Sequence, residues 1–133
     1  MNPTFDESVV KLEVFHKDYN LDKKDNLDEL PEEPAVFGIF AIIHKTPIHP
    51  RYVGASDNLR KAVRYVFENP GSEGLKAFMQ GAWIQMLCYE LLPNSTEEER
   101  KKKEEEWIKR YEPKITEKGE YPEYRYVWPY DKK

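Results

Sequence analysis

The chain has 133 residues, of which 35% are charged, 39% hydrophobic and 14% aromatic, a size and composition that suit one folded domain and exclude wholesale disorder. No apolar run approaches the roughly 18 residues that cross a bilayer, and the acidic N-terminus lacks the basic and then apolar pattern of a signal peptide, so the expectation is a soluble, cytoplasmic protein with no membrane partner. Cys88 is the only cysteine, which excludes an internal disulfide and a cysteine-rich zinc site and fits a reducing compartment.

The net charge of −4 argues against a polyanionic partner until its distribution is read. Residues 1–34 hold ten acids against four lysines, a net of −6, which leaves 17 bases and 15 acids in the remainder, a net of +2. A strong electrostatic case for nucleic acid fails and a weak one survives. The same asymmetry suggests that the leader folds back over whatever basic surface Arg51, Arg60, Lys61 and Arg64 create.

In chain order, Val9, Val10, Leu12, Val14 and Phe15 fit a short strand or a helix, and neither period wins. Asp18 to Glu33 is charged, has Leu21, Leu27 and Leu30 as its apolar residues, and reads as a linker or an acidic surface segment. Ala35 to His44 is a nearly continuous apolar run suited to a strand buried on both faces. The prolines of Lys45 to Pro50 suggest a turn, after which Arg51 to Gly54 is extended and completes a hairpin. Asp57 or Ser56 is placed to cap a helix with Leu59, Ala62, Val63, Val66 and Phe67 on one face, ended by Asn69-Pro70-Gly71. Ser72 to Gln80 resembles a second short helix. Trp83 to Leu92 suits a third strand or a short buried helix. Asn94 to Tyr111 is a helix opened by the capping box Ser95 and Glu98, and its narrow apolar stripe of Trp107, Ile108 and Tyr111, extended one turn back, lands on Glu104.

Gly38-Ile39-Phe40, Tyr52-Val53-Gly54, Ser56-Asp57-Asn58-Leu59-Arg60 and Glu104 followed by Trp107-Ile108-Lys109-Arg110-Tyr111-Glu112-Pro113 resemble, in this order, the motifs of the GIY-YIG nuclease family. The resemblance covers about residues 35–116. It implies an α/β domain of the α+β type, a small antiparallel three-stranded central sheet flanked by helices; outside it the composition reads as an acidic extension over 1–34 and an aromatic extension over 117–133. It further implies metal-assisted hydrolysis of a DNA phosphodiester, in which a glutamate holds one divalent ion, tyrosines handle the attacking water and a helix arginine neutralises the phosphate. Tyr52 and Glu104 match the second tyrosine and the metal-binding glutamate, so magnesium or manganese at Glu104 is the cofactor expected of an active enzyme.

Phe40, however, stands in the first tyrosine's place and has no hydroxyl, and Ala62 stands in the arginine's. Loss of a positioned transition-state cation costs orders of magnitude in phosphoryl transfer. Arg60 and Arg64 do not substitute, because each is two residues, about 200°, round the helix from Ala62. The expected function is therefore a degraded endonuclease-like domain that binds nucleic acid or protein, with Arg51, Arg60, Lys61 and Arg64 as its binding residues. An active metal-dependent endonuclease with a rearranged site and a purely structural, partner-binding protein are the alternatives.

His16, His44 and His49 show no metal-ligand spacing, Ser56 and Ser95 read as caps, and Cys88 reads as a buried structural thiol. Tyr121, Tyr124, Tyr126, Trp128 and Tyr130, interleaved with Arg125, suit a covering edge strand better than a stacking platform for bases or hot-spot aromatics for a protein partner.

Overall fold

The apolar run at 35–43 puts hydrophobic side chains on both faces of an extended chain, and in the computed structural model both faces are covered. The structure describes residues 7–15, 17, 21–22, 24–43, 46–69, 76, 84–111, 115–116 and 119–120. They form strands β1 (Val10–Phe15), β2 (Ala35–Ile43), β3 (Thr46–Ser56), β4 (Ile84–Leu91), β5 (Ile115–Thr116) and β6 (Gly119–Glu120). Helices α1 (Leu59–Glu68) and α2 (Glu97–Tyr111) and a 3-10 turn at Leu27–Glu29 complete them. Of the helix expected over 72–80 residue 76 alone is described, in helical conformation, and the aromatic tail over 121–130 lies outside the described residues.

The fold is α+β, with strand order β1-β4-β2-β3-β5-β6. β1 to β4 are antiparallel neighbours, β5 runs parallel to β3 through Tyr52↔Ile115 and Val53↔Thr116, and β6 returns antiparallel to β5. The expectation of three antiparallel strands accounts for β2, β3 and β4 and misses β1. A partner decides that segment's structure: β1 pairs with β4 from Val10↔Tyr89 to Phe15↔Ile84, whereas a six-residue helix would hardly outlast its nucleation cost.

β3 begins earlier than expected. It includes Pro47 and Pro50, which pair with Ile42 and Phe40 at two shifts of register. Proline removes a ladder hydrogen bond, so it is tolerated in a strand where the ladder is already broken.

Alternation along the strands builds two cores. Ala35, Phe37, Ile39, Tyr52, Leu87 and Tyr89 face α1, where they meet Leu59, Val63 and Val66 together with Leu27 and Leu30 of the leader. Val36, Phe40, Val53, Met86 and Cys88 pack with Trp107 and Tyr111 of α2. Leu27 and Leu30 are fully buried, so 24–30 is neither a linker nor only a surface segment. Its apolar residues are too sparse to show a period, and their burial comes from the groove between β1 and α1 that receives them.

Both helix caps lie one or more residues beyond their expected places. Asn58, not Ser56 or Asp57, caps α1, its side chain accepting from the Lys61 N–H at 3.0 Å, while Ser56 Oγ accepts from the Asn58 N–H at 3.1 Å. At α2 the box is Thr96 and Glu99: the Glu99 N–H donates to Thr96 Oγ1 at 3.1 Å and the Thr96 N–H donates to Glu99 Oε1 at 2.8 Å. Asn94, in the left-handed region at φ 60°, turns the chain first and displaces Ser95 from the cap. The Ser95 carbonyl and hydroxyl accept instead from Arg100 at 2.7 and 3.3 Å.

Candidate functional site

The two glycine tripeptides have one physical explanation. The Phe40 ring lies back over Gly38, where a Cβ would stand 2.8 Å from Cε1, and the Tyr52 ring lies over Gly54, where a Cβ would stand 3.0 Å from Cε1. Each glycine admits a ring two residues away on the same face of its strand. The two faces differ. Tyr52 stacks on Phe37 at 5.9 Å between centroids on the α1 side, whereas Phe40 meets Tyr111 edge-on at 5.8 Å on the α2 side.

The four positions singled out by the motif resemblance therefore divide two and two. Tyr52 belongs to the α1-side core, and Ala62 packs against that core from α1. Phe40 belongs to the α2-side core, and Glu104, 4% exposed, lies on the buried stripe of α2 with Trp107 and Tyr111. Tyr52 is thus counted with the core on the α1 side of the sheet, while Glu104 lies on the helix that packs against the core on the other side. Among the described residues no group of three or more His, Cys, Asp or Glu converges to hold a metal ion.

The expected basic residues also separate. Arg51 is half-buried at the register shift of β3, while Arg60, Lys61 and Arg64 lie together on α1. Arg64 makes a forked pair with Asp25, at 3.1 and 3.2 Å, and reaches Asp28 at 3.1 Å. Arg60 donates from Nε to the Leu30 carbonyl at 2.8 Å and from Nη1 to Glu32 at 3.1 Å. Lys61 is exposed and makes no ion pair among the described residues. The fold-back expected of the leader thus occurs at Arg60 and Arg64. The individual carboxylates escaped sequence reasoning, although Asp25, Asp28 and Glu32, spaced by three and four, against Arg60 and Arg64, spaced by four, were its available signal: Asp25 and Asp28 meet Arg64, and Glu32 meets Arg60.

Asn26 ties the same segment to the sheet. Its Oδ1 accepts from the Phe15 N–H at 3.0 Å and its Nδ2 donates to the Glu13 carbonyl at 2.8 Å, so one carboxamide covers the outer edge of β1 as a neighbouring strand would. Beside it a groove of about 850 Å³ is lined by Lys17, Lys24, Asp25, Asp28, Arg64, Phe67 and Glu68. Arg64 is held more firmly protonated than usual, first by its hydrogen bond to Asp25. In the α2-side core, burial pushes the Cys88 thiol up to about 12, which makes it an inert structural thiol. Burial, helped by the charge of Glu33, raises Tyr89 as well.

No protein-family model matches the sequence, and no curated protein or solved structure is significantly similar to it. No helix among the described residues is long and apolar enough to cross a membrane.

Proposed function

We propose that this chain is a GIY-YIG-like domain that binds nucleic acid and does not cut it. The motif order supports the family reading, as does the arrangement of hairpin, helix, third strand beside the first strand of the hairpin, and second helix. The observation that carries the loss of cleavage is the division of Tyr52 and Ala62 from Phe40 and Glu104 between two cores. Phosphodiester hydrolysis needs a nucleophile, a cation and a charge-stabilising group within a few ångströms of one phosphorus, and dispersal of those positions forfeits the effect. Support for nucleic acid as target comes from the groove beside α1, where Lys17, Lys24 and Arg64, interspersed with Asp25, Asp28 and Glu68, can meet phosphates and Phe67 offers a ring for a base.

The test pairs two assays on the full chain. Supercoiled plasmid with magnesium or manganese stays intact, while a fluorescent DNA of about 20 nucleotides binds at low salt and is released as salt rises. Metal-dependent nicking that disappears in Glu104→Ala overturns the non-cleaving reading. A second reading, a protein partner, is favoured by one observation: Arg60 and Arg64 already have carboxylate partners, which weakens their pull on phosphate. Absence of DNA binding in every variant described below decides for it.

A further inference from the structure

We infer that Asp25, Asp28 and Glu32 form a built-in mask that competes with nucleic acid for Arg60 and Arg64; this rests on the nucleic-acid reading above. Carboxylate and phosphate present the same paired oxygens to a guanidinium, so a group that occupies the arginine fork excludes the other. Four carboxylates contact two arginines here, Glu32 at Arg60 and Asp25, Asp28 and, from α1 itself, Glu68 at Arg64, and the side of α1 that carries Arg60, Lys61 and Arg64 is left close to neutral.

The mask is tethered and does not leave. Fully buried Leu27 and Leu30 anchor its backbone in the α1-side core, and Asn26 bonds it to β1, so its carboxylates stay at high effective concentration beside the arginines. Unmasking needs only side-chain rotation. The side chains of Asp28 and Glu32 are 84% and 51% exposed and swing into solvent first, while Asp25, at 18%, is the last to yield the fork of Arg64. Exposed pairs of this kind are individually weak and salt-sensitive, which lets a polyanion with several phosphates displace them together. The groove beside Arg64 adds Lys17 and Lys24 to the surface the arginines would present once released.

Deleting residues 1–34 is not a usable test, because it also removes β1, Leu27 and Leu30 from the fold. The full chain with Asp25→Asn, Asp28→Asn and Glu32→Gln keeps the shapes and removes three charges. Its affinity for single-stranded and duplex DNA of about 20 nucleotides is expected to rise on the order of ten-fold at about 20 mM salt and to converge on wild type by about 0.3 M. A charge-matched variant on the exposed face of α2, Glu97→Gln, Glu98→Gln and Glu105→Gln, should gain no more than about two-fold. Adding Arg60→Gln and Arg64→Gln to the triple variant should erase its gain. If Asp25→Asn disturbs the fold, as a thermal melt would reveal, the double variant Asp28→Asn, Glu32→Gln should still gain several-fold. Wild-type DNA binding that none of these masking variants improves, or an equal gain in the α2 control, overturns the mask and leaves the nucleic-acid reading standing. No DNA binding by any variant overturns both.

Discussion

Phe40 folds back over Gly38 so closely that a methyl group on Gly38 would meet its Cε1 at 2.8 Å, and Tyr52 covers Gly54 with the same geometry at 3.0 Å. Gly38→Ala must shift the Phe40 ring, and Gly54→Ala needs the Tyr52 ring to give by a few tenths of an ångström. Each is expected to cost about 1–3 kcal/mol, read as a lowered denaturant midpoint with an unchanged slope. Unchanged midpoints would mean that the rings yield freely, and the packing explanation of the two glycines would fall.

Replacing Phe40 and Ala62 by the residues of the motif they resemble is expected not to produce cleavage. Phe40→Tyr puts a hydroxyl into the α2-side core and Ala62→Arg puts a cation at the other core, with the sheet between them. The double variant is expected to be less stable than wild type and to leave plasmid DNA intact in magnesium or manganese. Nicking that appears in the double variant and depends on Glu104 would show that the positions do act on one phosphate.

Asn26→Ala removes both hydrogen bonds at the β1 edge, with Phe15 and Glu13. A buried donor and acceptor left unmatched cost about 1–3 kcal/mol, and the uncovered edge becomes a template for another strand. Chemical denaturation should report the first effect, and light scattering across a concentration series the second. A variant as stable and as monodisperse as wild type would refute this role for Asn26.

The pH dependence has a definite sign. The Cys88 thiol, ordinarily at 9.0, is raised to about 12 in the folded chain, and Tyr89 is raised from 10.0. Between pH 9 and 12 the unfolded chain releases protons that the folded chain retains, so stability falls as pH rises through that window and is unaffected by these groups below it. Cys88→Ala should flatten part of this alkaline loss. In native wild type a thiol reagent at pH 8 should label Cys88 only as fast as the protein opens.

The capping prediction separates two neighbouring hydroxyls. Thr96→Ala removes the acceptor for the Glu99 N–H and should cost about 1 kcal/mol. Ser95→Ala loses only a 3.3 Å contact to Arg100 and should cost less, since the carbonyl that accepts from Arg100 remains. A larger loss from Ser95→Ala would return the cap to Ser95.

The amino-acid order by itself determined the elements whose signal is local and periodic. The unbroken apolar run at 35–43, the 3- and 4-residue spacing of Leu59, Val63 and Val66, and the stripe from Glu104 to Tyr111 each identify a strand or helix and its buried face, and all three faces are buried in the structure. Tertiary structure decided what depends on a partner distant in sequence. Val10 to Phe15 fits two periods, and only the free edge of β4 makes it a strand. Leu27 and Leu30 show no period and become core residues because a groove beside α1 accepts them. The assignment of Tyr52 to one core and of Phe40 to the other follows from the register Ile39↔Tyr52 and the shift beside it, since moving a strand by one residue exchanges its faces. Ion pairing of Arg60 and Arg64 required the leader to return across α1. Periodicity is a property of neighbours in the chain, whereas register and ion pairing arise only when the chain closes on itself.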